Sequence, residues 1–231
     1  GRPQTIAYPL RYIRIRRTEI KRSGRNAGTD KLLSVFCHFL HHQTFMFMDN
    51  SNKEWEVLHS EYLIRRPWLT ARRDHVRLPN GVENPEYYVL EYPDWVNVIA
   101  ITRDGHFIME RQYRHGLRYT GYEICAGVCE PCEEPVDSAR RELYEETGYG
   151  GGHWTHYMTI SANTSTMNNL CHCFVATDVE PVSTQHLEPT EDISIHLMTK
   201  EEVRSLLTGD QIRQALMAAP LWKYFAENHL L

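Results

Sequence analysis

The chain has 231 residues, of which 42% are hydrophobic and 24% charged, and its formal net charge is −5. This length suffices for one domain with a sizeable core, and the composition is that of an ordinary globular protein. The charge is unevenly divided, because residues 1–45 carry nine Lys and Arg against two acids, leaving a net charge of about −12 on residues 46–231. An acidic body of this kind argues against a nucleic-acid-binding surface.

The first 45 residues combine a basic stretch, RYIRIRRTEIKRSGR, with an apolar one, KLLSVFCHFLHHQTFMFM. A signal or transit peptide has a similar layout, but three histidines interrupt the apolar run, which is too short and polar for a membrane span. The chain begins at Gly1 and has no methionine before Met46. We interpret residues 1–45 as a disordered or non-native leader, with Met46 or Met48 as the natural start, and keep a targeting peptide as the alternative.

The six cysteines are too few for a disulfide-stapled scaffold of this length, so we predict free thiols in a reducing, cytoplasmic compartment. Two short spacings, Cys129-x-x-Cys132 and Cys171-x-Cys173, could also indicate zinc. Matches this short are common, and small buried residues in a loop and a strand are the simpler interpretation.

Alternating and β-branched segments predict strands from residue 53 onward: KEWEVLHSEYL, WLTARRDHVRL, EYYVLEY, WVNVIAIT, HFIMERQYR, HYMTI, LCHCFVAT and ISIHLMT. Asn80-Gly81 and Asp104-Gly105 indicate hairpin turns. KEEVRSLLTG and DQIRQALMAAPLWKYFAENHLL have a helical period; we expect Gly209 to end the first helix and Pro220 to break or kink the second. The pattern predicts a mixed α/β sandwich.

A central helix is predicted from about Pro135 to Thr147, because proline suits the first helical position and Gly148 is a natural stop. On a helical wheel Val136, Ala139, Leu143 and Thr147 form the core stripe.

Three acids, Glu142, Glu145 and Glu146, lie within an arc of about 100° beside that stripe, at the edge of the helix. They repel one another at i+3 and i+4 and lie near the negative end of the helix dipole. Arg141 compensates only part of this charge. The simpler alternative is an acidic helix face that is exposed to solvent and has no further function. Carboxylates clustered at the edge of a core stripe suit Mg²⁺ or Mn²⁺, however, so we predict a metal site.

The residues from Gly127 to Tyr149 fill every fixed position of the Nudix box, GX5EX7REUXEEXGU, with Glu133, Arg141-Glu142 and Glu145-Glu146 in place. From about residue 53 onward the chain resembles the ADP-ribose pyrophosphatase-like branch of Nudix hydrolases, through RQYR, EICAG and an acidic run before ISIHLMTKEEV. The resemblance implies a Nudix-type α/β/α sandwich with a mixed sheet over residues 95–231, preceded by an N-terminal antiparallel strand layer over residues 46–94. It also implies metal-dependent hydrolysis of a nucleoside diphosphate linked to a group X, giving a nucleoside monophosphate and phospho-X.

The resemblance also implies roles for individual residues. Glu142, Glu145 and Glu146 would bind the metal with the backbone carbonyl of Ala126 or Gly127. Arg141 would orient the glutamates, and Glu133 would support the loop of the box. An acid from the later loop, Glu188 or Glu191, would complete the metal site or act as general base; the sequence does not choose between them.

Two positions depart from the branch: Cys125 stands where proline is usual, and Thr164 stands where ADP-ribose hydrolases typically carry a proline. Both weaken ADP-ribose as the specific substrate, although ADP-ribose or a nucleotide sugar remains favoured. The alternative from another class is a Nudix-like nucleotide-sensing protein without turnover, which degenerate box acids would indicate. The box acids are complete.

Further substrate contacts are predicted on two strands. Arg111 and Arg114 are taken to share a strand face, where one or both contact phosphate or hold Glu123; a surface pair is equally compatible with the pattern. Trp68 is either a base-stacking residue or a core or interface tryptophan. The expected partners are a nucleotide substrate and a second copy of the chain in a homodimer, with no nucleic acid and no membrane.

Overall fold

The computed structural model of the chain describes residues 53–231. The leader predicted over residues 1–45 lies outside the described residues, and so do residues 46–52. The strands are β1 Glu56–Arg66, β2 Leu69–Arg77, β3 Glu83–Glu91, β4 Trp95–Thr102, β5 Phe107–Arg114, β6 Tyr119–Glu123, β7 Cys125–Val128, β8 Tyr149–Gly150, β9 His153–Ile160, β10 Cys171–Pro181 and β11 Ser194–Met198. The helices are α1 Pro135–Thr147, α2 Lys200–Thr208 and α3 Ala215–Glu227.

The main sheet has eight strands and mixed direction. Strands run in the order β11-β5-β4-β10-β8, with β6 on β5, β7 on β4 and β9 on β10. The central pair β4 and β10 is parallel, and the other pairs are antiparallel. Residues 96–101 of β4 are buried on both faces, as expected for a central strand covered by helices on both sides.

Helices cover the main sheet on both faces. Val96 and Val98 of β4 pack with Leu143 of α1 on one face, whereas Ile99 and Ile101 pack on the other face with residues of α2 and α3. Side chains of a strand alternate between faces, so this one strand supplies both cores. The architecture is the predicted α/β/α sandwich with a mixed sheet.

A separate antiparallel sheet, β1-β2-β3, confirms the predicted N-terminal strand layer. It touches the rest of the chain near one loop, where Leu90 pairs with Met167 and the Tyr87 hydroxyl donates to the Ser165 carbonyl. Among the described residues β1 lies at the edge of this sheet, and it is exposed over nearly its whole length. Large apolar side chains are among its exposed residues: Val57, Tyr62, Leu63 and Ile64.

Helix α3 runs without interruption through Pro220. The prediction that Pro220 breaks or kinks this helix was therefore wrong as far as a break is concerned. Proline has no N–H, so the carbonyl of Leu216, four residues earlier, loses its helical donor. The buried side chain of Asn97 replaces that donor, with Nδ2 at 2.7 Å from the Leu216 carbonyl oxygen. The helix also begins at Ala215, five residues later than the helical period suggested.

Three short strands, β6, β7 and β8, have no counterpart among the predicted strands. They have two to five residues each, too few for an alternating pattern to show. Over residues 53–231, no helix has both the length and the apolar character needed to cross a membrane.

Candidate active site

Helix α1 has the bounds that the sequence predicts. It begins at Pro135 and ends at Thr147, and the next residue, Gly148, has a φ of 75°, the left-handed conformation that glycine adopts without strain. Ala139, Leu143 and Thr147 are buried against the sheet as expected, and Glu146 is buried with them at 6% exposure. A carboxylate on the buried face of the helix is unusual, and it indicates that this face of α1 has a functional role besides packing.

Two of the three acids contact the backbone of β7. Glu146 Oε2 accepts from the Ala126 N–H at 3.3 Å, and Glu142 Oε1 accepts from the Val128 N–H at 3.2 Å. Gly127 lies between these two donors, and a Cβ built there would stand 1.9 Å from Glu142 Cδ. A side chain at this position would therefore displace the Glu142 carboxylate from its place beside β7.

Arg141 ties the acids to the loop before the helix. Its Nη1 donates to Glu142 Oε1 at 2.8 Å and to Glu145 Oε2 at 3.2 Å. Its Nη2 donates to the Val128 carbonyl at 2.9 Å and to Glu133 Oε2 at 3.1 Å. One guanidinium thus contacts two of the clustered carboxylates and the backbone of β7, and the orienting role of Arg141 stays a prediction.

Glu133 anchors the loop between β7 and α1. Its carboxylate accepts from Arg141 Nε and Nη2 and from Ser138 Oγ, at 3.2, 3.1 and 2.6 Å. The Arg141 hydrogen bonds, followed by that of Ser138, lower the pKa of Glu133 from 4.5 to about 2. Glu133 is therefore ionised at neutral pH, as a support for Arg141 requires.

A loop after β10 brings the later acids to the end of α1. His186 N–H donates to the Glu145 carbonyl at 2.8 Å, and Gln185 Nε2 donates to the Glu146 carbonyl at 2.7 Å. These bonds satisfy carbonyls that the helix end leaves open. Glu188 and Glu191 follow in the same loop and line the cleft beside α1, with Glu191 Oε2 accepting from the Glu188 N–H at 2.8 Å.

The two arginines of β5 have different surroundings. Arg114 makes a bidentate pair with the buried Glu123 on β6, at 3.0 Å from Nε to Oε1 and 2.6 Å from Nη2 to Oε2. Arg111 is exposed and does not line the cleft. The prediction that they share a strand face was wrong, because strand side chains alternate and residues three apart point to opposite faces.

The acids face a broad cleft with a volume of about 1390 Å³. Its wall includes the box acids and Gly127, and also Arg114 and Trp68. Trp68 lies at the β1–β2 turn and is 80% exposed. The alternative of a core tryptophan is therefore wrong for this residue within the described chain.

The acidic cluster holds more negative charge than the single guanidinium of Arg141 neutralises. Burial, above all, raises the pKa of Glu146 from 4.5 to about 7 and also raises the pKa of Glu142. Arg141 contacts Glu142 and Glu145 but makes no hydrogen bond to Glu146. Several carboxylate oxygens beside a cleft form a hard donor set that fits a divalent cation such as Mg²⁺ or Mn²⁺.

Two residues that adjoin this cluster were not among the predicted site residues. Glu110 of β5 is fully buried, and Cys125 at the start of β7 is fully buried as well. One donor atom from each lies within 4.8 Å of the other and of a Glu146 carboxylate oxygen. The sequence did contain one signal, a glutamate in the middle of the apolar strand segment HFIMERQYR. A glutamate is rarely fully buried unless it is paired, so its presence there indicates a partner inside the protein.

Comparisons with known proteins identify two family models that match this chain. Residues 92–219 match the NUDIX domain model, and residues 55–90 match that of the nucleoside diphosphate sugar hydrolase N-terminal domain. An ADP-ribose pyrophosphatase of Bacillus subtilis (strain 168) is 31% identical over 146 residues, which cover 63% of this chain and 78% of the relative. An ADP-ribose pyrophosphatase of Mycobacterium tuberculosis (strain ATCC 25618 / H37Rv) is 27% identical over 172 residues, covering 73% of this chain and 82% of the relative.

Among solved structures, an ADP compounds hydrolase has the same fold, with a TM-score of 0.68 and 23% identity over 79% of this chain and 100% of that one. The NUDIX match spans more than half of the chain. It includes helix α1 with its acids, Gly127 beside the Glu142 carboxylate, and Arg141 with its hydrogen bonds. The chain therefore belongs to the Nudix family, in its ADP-ribose pyrophosphatase-like branch.

Proposed function

We propose that this Nudix pyrophosphohydrolase cleaves the diphosphate linkage of ADP-ribose or a related nucleotide sugar, with Mg²⁺ or Mn²⁺ as its cofactor. The observation that carries the proposal is the box helix, which turns Glu142 and Glu146 toward β7 at the edge of a cleft large enough for a dinucleotide-sized ligand. The products would be a nucleoside monophosphate and phospho-X.

The proposed cation site consists of Glu142, Glu145 and Glu146 with the carbonyl of Ala126 or Gly127. A bound divalent cation would neutralise charge on the diphosphate oxygens and promote attack by water. Arg141 would keep the carboxylates in place, since it already contacts two of them and the Val128 carbonyl.

Glu188 and Glu191 are the candidates for the proton acceptor. Both line the cleft, and Glu191 is half-buried whereas Glu188 is exposed. Glu191 contributes to the raised pKa of Glu146, so its carboxylate acts on the acidic cluster. We favour Glu191 as the general base or additional metal ligand, because a base must reach the attacking water beside the cluster.

Trp68 and the named relatives support the proposed substrate class. An exposed tryptophan on the cleft wall can stack on a base, which is worth about 1–3 kcal/mol and discriminates little among bases. Arg114 is held by Glu123 and would offer its remaining donors to a phosphate. Arg111 does not line the cleft, so it is a weaker candidate than Arg114 for contact with the substrate.

We also propose a homodimer formed through the N-terminal sheet. Within residues 53–231 no strand pairs with the outer edge of β1, which exposes Val57, Tyr62, Leu63 and Ile64, and such edges are usually covered in native proteins. The division into a leader, a strand layer over residues 46–94 and a catalytic domain over residues 95–231 belongs to the same proposal. So does a cytoplasmic location, which the free thiols Cys125, Cys129, Cys132, Cys171 and Cys173 support.

The test is a hydrolysis panel over ADP-ribose, nucleotide sugars, dinucleoside polyphosphates, NADH and nucleoside triphosphates, with products identified by mass. We expect the highest kcat/KM for ADP-ribose or a nucleotide sugar, and no turnover by the Glu142→Gln variant. A preference for a nucleoside triphosphate with release of pyrophosphate would contradict the substrate class. The complete set of box acids gives no support to a nucleotide sensor without turnover.

A further inference from the structure

Behind the acids of the box helix lies a buried cluster formed by Glu110, Cys125 and Glu146. The three side chains come from β5, β7 and α1, and one ligand atom from each lies within 4.8 Å of the other two. Glu110 and Cys125 have no solvent exposure, and Glu146 has 6%. Two carboxylates and a thiol are thus held together on the α1 side of the main sheet.

Glu110 makes this cluster unlike an acidic patch on a surface. Both of its carboxylate oxygens are buried and lack a hydrogen-bond partner within the described part of the chain. The nearby guanidinium of Arg114 is directed to Glu123 instead. A buried carboxylate without a partner is costly, so Glu110, which lies beside a second carboxylate and a thiol, requires either a shared proton or a bound cation to neutralise it.

The donor atoms select a particular class of ion. A thiol and two carboxylates suit a borderline-soft cation such as Zn²⁺ or Co²⁺, whereas Mg²⁺ takes oxygen ligands alone. Tetrahedral Zn²⁺ with sulfur and oxygen ligands holds them about 3.5 Å apart, from bond lengths of about 2.3 and 2.1 Å. Separations within 4.8 Å therefore require only small side-chain movements.

We propose that Glu110, Cys125 and Glu146 form a second cation site, which binds a borderline-soft divalent ion such as Zn²⁺ through the Cys125 thiolate. Glu146 is shared with the cleft and gives the ion its entry path, since Glu146 lines the cleft and one of its carboxylate oxygens lies within 4.8 Å of a donor atom of Cys125. The fourth ligand position remains for water or for a group in the cleft. The inference does not rest on the proposed substrate or on turnover.

The test uses Co²⁺ as a spectroscopic probe on the full chain, prepared free of metal with a chelator. A cobalt–thiolate bond gives a charge-transfer band in the near ultraviolet, which an oxygen-only site cannot give. We expect this band to grow to about one equivalent of Co²⁺ and to disappear when Zn²⁺ is added. Circular dichroism of each variant verifies that it is folded.

Three variants locate the thiolate. Cys125→Ser keeps the size of the side chain and should abolish the band, and Glu110→Gln should weaken Zn²⁺ binding by about tenfold or more. Cys132→Ser is the matched control, because Cys132 is an exposed thiol outside the cluster, and it should retain the band.

Two outcomes would overturn the inference. If wild-type protein saturated with Co²⁺ shows no thiolate band, Glu110 and Glu146 share a proton in place of a metal ion. If the band survives in folded Cys125→Ser but is lost in Cys132→Ser, the thiolate belongs to the exposed loop. Hydrolysis of nucleotides by the Mg²⁺-loaded enzyme is measured separately, so its failure is distinguishable from either result.

Discussion

Replacing Glu146 by Gln should raise the stability of the metal-free protein while it removes activity. Gln keeps the size of the side chain and an oxygen that can accept from the Ala126 N–H. It removes a negative charge that is 6% exposed and lies beside Glu110 and Glu142. A metal ligand is lost at the same time, so we expect turnover to fall by two or more orders of magnitude, as a rough estimate.

The magnitude follows from the pKa of Glu146. Burial raises it from 4.5 to about 7, so the folded state binds a proton more tightly than the unfolded state. This contribution to stability is present below pH 4.5 and is lost as the pH rises through 7. At 1.36 kcal/mol per pKa unit the loss is at most about 3 kcal/mol, and we expect about 1–3 kcal/mol.

The assay is urea unfolding in a chelator at pH 8 and at pH 4.5. At pH 8 the variant should be more stable by about 1–3 kcal/mol, or about 2–10 °C in melting temperature. At pH 4.5 the difference should nearly vanish, because wild-type Glu146 is then protonated. The control is Glu145→Gln, whose side chain is 42% exposed and which should change stability by about 0.5 kcal/mol or less.

A variant that is less stable than wild type at pH 8, or a difference equal at the two pH values, would refute this reasoning. Turnover within a few-fold of wild type would separately refute the assignment of Glu146 as a ligand. The two results come from different measurements, so one can fail without the other.

Four other predictions follow from the same geometry. Millimolar Mg²⁺ or Mn²⁺ should raise the melting temperature of the metal-free protein, by the equivalent of about 2.7 kcal/mol at one hundred times Kd, and an indifferent melting curve would count against the cation site. Gly127→Ala should lower turnover by about tenfold or more because its Cβ would displace Glu142, whereas Gly116→Ala, which also lies on the cleft wall but has nothing within 4 Å of its Cβ, should keep activity within a few-fold in the same assay. Trp68→Ala should raise KM for nucleotide substrates about ten- to a hundred-fold with little change in kcat, and an unchanged KM would remove the stacking role. Light scattering at micromolar concentration should report a dimer, and a monomer would refute the pairing through the N-terminal sheet.

The sequence was sufficient where a local rule determined the structure. Proline at the first position, glycine in the left-handed position and a 3.6-residue stripe gave α1 its bounds from Pro135 to Thr147. Arg141 reaches Glu145 because both lie on one helix face four residues apart. Alternation likewise predicted the long strands, and the spacing of the box residues predicted the family.

Tertiary structure decided the features that depend on residues distant in the chain. Asn97 lets α3 continue through Pro220, although 119 residues separate Asn97 from Leu216. The loop after β10 brings Glu191 to α1 through hydrogen bonds to carbonyls that the helix end leaves open. The meeting of Glu110 with Cys125 depends on how β5 and β7 lie beside α1. Sequence periodicity reports which face of an element is apolar, but the distance between charges on different elements is set only when the elements pack.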